Sequence, residues 1–211
     1  MYLIEVYKLI EEGENSHTEF KRKFSTPEKI AKEMIAFANS GGGKIIFGVD
    51  DDKTIVGIES EKEEFELVNT AAKFYCEPEI EFTTDIICIK NKDLLVIDVP
   101  ESSVKPHFLL VEKEEPKAFI RHKDQSILAS KETVKILRNS VNDDIPLTLY
   151  IGDIEKSLFA FLEMNDRITV KGFKKLVNIS ERRASRTLIN LVRANLIRHH
   201  FMGREDFFTL I

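Results

Sequence analysis

Residues 26–49 read TPEKIAKEMIAFANSGGGKIIFGV, and their reading decides the first half of the fold. Thr26 is a helix cap, Pro27 presets the first turn, and Glu28 places an acid at the positive end of the helix dipole. Ile30, Met34, Phe37 and Ala38 then recur on one face with Ile35 widening it, so the spacing predicts a deeply packed helix ending near Asn39. Ser40-Gly41-Gly42-Gly43 stops it, and the β-branched KIIFGV run that follows predicts a strand. The glycines invite comparison with a phosphate loop. Position 38 is Ala rather than Gly, however, and position 45 is Ile rather than Ser or Thr. The run therefore reads as a supplier of positive φ and close backbone approach.

Working outward, Leu3, Val6, Tyr7 and Ile10 have helical spacing, which predicts an earlier helix. Downstream, TIVGI follows the turn-forming Asp50-Asp51-Asp52-Lys53 and predicts a hairpin with KIIFGV. Ser60-x-x-Glu63 is a capping box opening a helix to about Tyr75. Residues 79–99 read as extended, with a turn at Asn91-Lys92-Asp93. HFLLV and KAFIRH predict another hairpin across 112–116, and Ser130 opens a helix to about Asn139. The polar stretch over 140–153, with Pro146 and Gly152, reads as a junction between a domain at 1–145 and a second at 153–211.

In the second domain a helix over 154–164, a short extended stretch at 167–169, a helix through Val177, a turn at Asn178-Ile179, a helix from Ser180 and the strands LIRHHF and FFTLI follow in that order. This is the order of a winged helix-turn-helix, whose helix after the turn enters the major groove. Ala184, Leu188, Leu191 and Val192 face inward at helical spacing, leaving Arg182, Arg183, Arg186, Asn190 and Arg193 to point outward. These residue types read bases and grip phosphate. Lys171, Lys174 and Lys175 on the preceding helix and Arg204 at the hairpin tip are expected to contact phosphates.

The chain of 211 residues carries a net charge of −5, which by itself argues against a polyanionic partner. The charge is divided along the chain. Residues 1–152 hold 20 Lys and Arg against 29 Asp and Glu, a net −9, and residues 153–211 hold 11 against 7, a net +4. A polyanion is steered to the second segment. With 43% hydrophobic and 32% charged residues, and no long apolar run or signal-peptide pattern, the expectation is a cytoplasmic protein outside the membrane. Cys76 and Cys88 lack metal-site spacing and read as buried free thiols. The histidines are scattered, and His199-His200 in a strand face opposite ways, so no metal is assigned to them.

Glu14-x-x-x-x-Glu19-Phe20-Lys21, then Ile35-Ala36-Phe37-Ala38-Asn39-Ser40-Gly41-Gly42, then Phe47-Gly48-Val49-Asp50-Asp51 together resemble the Schlafen AlbA-like family. Lys105-Pro106-His107 and Phe119-Ile120-Arg121, followed by Ser126 and Ala129, extend the resemblance over about residues 10–140. Where the family commonly reads aromatic-Ile-Arg-x-Gly-Ser, His122-Lys123-Asp124-Gln125 lacks the glycine. The resemblance implies an α+β domain with a mixed sheet that binds nucleic acid, often joined to a helix-turn-helix. It also implies an alternative activity, since some relatives are metal-dependent ribonucleases. The positions carried over would be Glu14, Glu19 and Asp51, with Asp50 as the alternate, holding Mg²⁺ or Mn²⁺. Beyond these ions, which belong to the ribonuclease alternative alone, the residues name no cofactor, and nucleotide binding is left open. The leading expectation is a transcription-regulator-like protein that binds duplex DNA, or RNA, as a monomer or homodimer; a protein-interaction adaptor without nucleic-acid affinity is the third reading.

Overall fold

Thr26 Oγ1 accepts from the Lys29 N–H and opens a helix over Pro27–Asn39, where the spacing placed it. The computed structural model describes residues 2–23, 25–140, 149–201 and 206–211. In chain order the elements are α1 (Leu3–Glu12), β1 (Thr18–Lys21), α2 (Pro27–Asn39), β2 (Gly43–Phe47), α3 (Glu61–Phe74), β3 (Cys76–Glu77), β4 (Thr83–Ile89) and β5 (Lys92–Val99). They continue with β6 (Phe108–Leu109), β7 (Phe119–His122), β8 (Gln125–Leu128), α4 (Lys131–Ser140), α5 (Asp153–Met164), α6 (Val170–Leu176), α7 (Glu181–Arg193), β9 (Ile197–Phe201) and β10 (Asp206–Leu210). They fall into two compact units, Met1–Leu128 and Ala129–Ile211. No described helix is long and apolar enough to cross a membrane.

The first unit is α+β, built on a mixed four-stranded sheet ordered β1-β2-β5-β4. β1 runs parallel to β2, and the other neighbours are antiparallel. Period-two alternation divides the strands between two cores. Ile45, Phe47, Leu95, Ile97 and Val99 pack with α2 and α3, while Ile46, Leu94 and Val96 pack with Val6 and Ile10 of α1. Burial on both faces explains why these strands read as continuous apolar runs. The inserted helix α3 is capped as its sequence predicts, with Ser60 Oγ accepting from Glu63 N–H.

Three local expectations are corrected. TIVGI adds no strand to KIIFGV, and only the bridge Val49↔Ile55 survives, because β2 finds β1 and β5 as its partners. KAFIRH does not form a long hairpin with HFLLV, since one bridge, Leu109↔Lys117, joins them. Instead β7 turns through Lys123-Asp124 onto β8, and β6 pairs with β3. The turn before β5 falls at Lys90 and Asn91, whose φ values are 51° and 59°, one residue ahead of the expected place.

In the second unit Leu158, Phe173, Ala184, Leu188, Leu191 and Phe208 are fully buried around α5, α6, α7 and the β9–β10 hairpin. Ile168 bridges to Phe208, adding a short third segment beside β10. Helix α4, which the sequence reading placed before the junction, lies in this unit. Ser130 caps it, accepting from Thr133 N–H at 2.9 Å, and donates to the Asp206 carboxylate on β10. Glu132 and Lys135 both bond the Ser185 hydroxyl of α7. A polar cap therefore decides α4's company, which the apolar pattern did not reveal.

Candidate functional site

The motif residues of the first unit converge on one buried guanidinium. Arg121, on β7, has a side chain only 1% exposed and pairs with Glu19 Oε2 at 2.9 Å and Glu33 Oε2 at 3.2 Å. Its Nη1 also donates to Ser126 Oγ at 3.0 Å, and its Nη2 to the carbonyls of Asn15 and Thr18 at 2.9 and 3.3 Å. The guanidinium lies 4.7 Å from the centre of the Phe37 ring. Such a planar fork suits several acceptors at once. Ser126 closes the set by donating to Glu33, so the β7–β8 turn still delivers a serine without the family's glycine.

Asn39 closes the next joint. Buried at the end of α2, its Nδ2 donates to the carbonyls of His107 and Phe119, both at 3.0 Å, and its Oδ1 accepts from His107 N–H at 2.8 Å. His107 in turn contacts the Pro78 carbonyl and Ser102 Oγ, each at 2.7 Å. Burial holds its imidazole below the ordinary value, aided by the nearby Lys105 charge and opposed by the Pro78 bond and the Glu77 charge. The glycine run is filled by its own chain. Gly42 sits at φ +72°, with the backbone of Val99 and Glu101 where a Cβ would lie, and a Cβ on Gly43 would meet the Phe37 ring at 2.3 Å. These two positions are packed too tightly for any side chain, which is the close backbone approach the glycines were expected to supply.

The three carboxylates expected from the resemblance are placed unequally. Glu19 is 7% exposed and committed to Arg121 and Lys21. Glu14 is exposed as a residue, but its Oε1 accepts from Phe20 N–H at 2.9 Å. Burial of the carboxyl is the main cause that raises its pKa, with the Glu19 and Asp51 charges adding to it, while the Phe20 bond and Lys21 oppose. Glu14 thus senses the charges of the other two. Asp51 is exposed, whereas its alternate, Asp50, accepts from Arg22 at 2.8 Å. Among the described residues no group of three or more His, Cys, Asp or Glu side chains is placed to hold a metal ion. With Glu19's charge already satisfied by two cations, this donor set does not fit Mg²⁺ or Mn²⁺.

In the second unit Ser180 Oγ caps α7 through Arg183 N–H, and Asn178, at φ 50°, turns the chain from α6 into it. Arg182, Arg183 and Arg186 are exposed, and Asn190 and Arg193 are half-buried. Lys171, Lys174 and Lys175 of α6 are exposed, with Lys174 3.5 Å from Glu181. Arg204 lies outside the described residues. Two residues of α7 that helical spacing alone left unassigned, Ser185 and Ile189, are buried, and Ser185 is bonded to Glu132 and Lys135 of α4. Sequence reasoning also missed the outward residues of the hairpin, Arg198, His200 and Phe207; their alternation with buried neighbours was the available signal.

The family model described as Schlafen, AlbA_2 matches residues 14–130. Among solved structures, the N-terminal domain of a RecG-related protein from Nitrosomonas europaea is 24% identical, with a TM-score of 0.44 over 61% of this chain and 92% of that one. The DIP2311 protein from Corynebacterium diphtheriae is 12% identical, with a TM-score of 0.49 over 92% of this chain and 36% of that one. These two likenesses are distant, whereas the family match covers more than half of the chain and contains Glu14, Glu19, Asn39 and Arg121: the chain belongs to the Schlafen AlbA_2 family.

Proposed function

We propose that this chain is a nucleic-acid-binding, transcription-regulator-like protein whose second unit is a winged helix-turn-helix that contacts duplex DNA through α7. The observation that carries the reading is the outer face of α7, where Arg182, Arg183 and Arg186 stand exposed over a fully buried Ala184-Leu188-Leu191 face. Three helices followed by a hairpin supply the matching scaffold. The net +4 of residues 153–211 concentrates phosphate attraction there, and membership of the family supports a nucleic-acid role for the first unit. Arg182 and Arg186 lie one turn apart and would straddle base edges and phosphates, while Lys171 and Lys175 would position the backbone.

The test is a binding titration of the full chain against labelled duplex DNA, with Arg182→Ala and Arg186→Ala combined. Two lost contacts at about 1–3 kcal/mol each should weaken binding at least tenfold. Equal affinity in the double variant and the parent chain would remove α7 from the interface.

A further inference from the structure

The outward face of the β9–β10 hairpin carries a row of flat, delocalised groups that the duplex reading leaves without a task. In the antiparallel register His200 stands opposite Phe207, and Arg198 opposite Thr209. The alternate positions Ile197, Asp206 and Phe208 are buried beneath. The His200 and Phe207 rings stack with centroids 4.9 Å apart and planes 9° from parallel. His200 Nε2 is held by Thr209 Oγ1 at 3.0 Å, which fixes the imidazole in that orientation. On the other side of β10 the Ile168↔Phe208 bridge brings in Arg167, whose guanidinium carbon lies 5.2 Å from the Phe207 ring centre. Guanidinium, phenyl and imidazole thus form a lateral row across three adjacent chain segments.

We propose that this face is a second nucleic-acid site, which takes unpaired bases of a single strand. Bases have a π-face whatever their identity and add to aromatic and guanidinium planes, and Arg side chains beside them neutralise the phosphates. The charge of the face agrees. Arg198 is exposed at one end and Arg167 at the other, and none of the described outward positions of the hairpin, 198, 200, 207 and 209, is a carboxylate. Duplex DNA would use only the charges, since its bases are already stacked on each other. Phe207 already stacks on His200 and lies under Arg167, so a base extends the row at its imidazole or guanidinium end, which only a base free to stack can do. The inference rests on the reading that this unit binds nucleic acid, and assigns it a second class of ligand on a different surface from α7.

The experiment compares the full chain, Phe207→Leu with His200→Leu, and Arg182→Ala with Arg186→Ala, against labelled oligothymidylate and labelled duplex DNA. Replacing the two rings keeps apolar bulk on the hairpin and removes the stack. Losing about 1.4 kcal/mol of stacking corresponds to about tenfold weaker oligothymidylate binding, with duplex affinity unchanged, and the arginine pair should show the converse. A single strand carrying 2-aminopurine, titrated with the unmutated chain, gives a readout independent of any variant's folding, because stacking quenches its fluorescence. Quenching together with the selective loss supports the site. Duplex binding without oligothymidylate binding, or binding with no quenching, overturns it and leaves the α7 reading standing. Oligothymidylate binding and quenching without duplex binding does the reverse. Binding to neither ligand overturns both, and turns attention to a protein partner for this face.

Discussion

Glu19 shows how a residue type can suggest one chemistry and the surroundings impose another. Its carboxylate is buried against Arg121, and a buried ion pair is costly to break because the surviving charge loses its compensation. Glu19→Gln is therefore expected to destabilise the first unit by about 3 kcal/mol, the low end of the range for such pairs, since Glu33 still faces the guanidinium. A metal ligand would behave oppositely, because neutralising one of several clustered carboxylates relieves repulsion. Urea denaturation distinguishes the two, and an unchanged or raised midpoint would return Glu19 to the ligand role. The motif glutamate, the Asn39 amide and the Ser126 hydroxyl were all visible as letters. Their partners were not, because each hydrogen bond joins segments whose proximity depends on the closed sheet.

At the scale of elements, edge position separates the two cysteines. Both were expected to be buried; Cys76 is, but Cys88 is exposed, because β4 is an outer strand of the four-stranded sheet. Burial pushes the Cys76 thiol up to about 12. The Cys88 thiol is also raised, first by its hydrogen bond to Asp93. Since the thiolate is the reactive form, alkylation of the native protein should modify Cys88 alone, slowly at pH 7 and faster as pH rises. Cys76 should react only after unfolding. Modification of Cys76 at the Cys88 rate in the native protein would contradict this packing. The strand partners follow the same logic of neighbours. TIVGI has strand propensity but cannot pair along its expected partner β2, which is flanked by β1 and β5.

For the whole molecule, the division of charge matters more than its sum. If the second segment neutralises phosphates, the logarithm of the binding constant should fall linearly with the logarithm of salt concentration, each contact contributing a slope of about −0.9. Arg182→Ala with Arg186→Ala should reduce that slope by about two; a slope near zero in the parent chain would exclude phosphate contact as the source of affinity. The amino-acid sequence by itself determined the helices α2, α3, α5, α6 and α7, because caps and periodicity act within a few residues, and the motif pattern over about residues 10–140 pointed to the family. Tertiary structure alone decided that β1 runs parallel beside β2, that α4 belongs with α7, that Glu19 is spent on Arg121, and that Arg167, Phe207 and His200 form one row. Those outcomes depend on which distant segments meet, and a one-dimensional pattern specifies the faces to be buried without naming the residues that will lie against them.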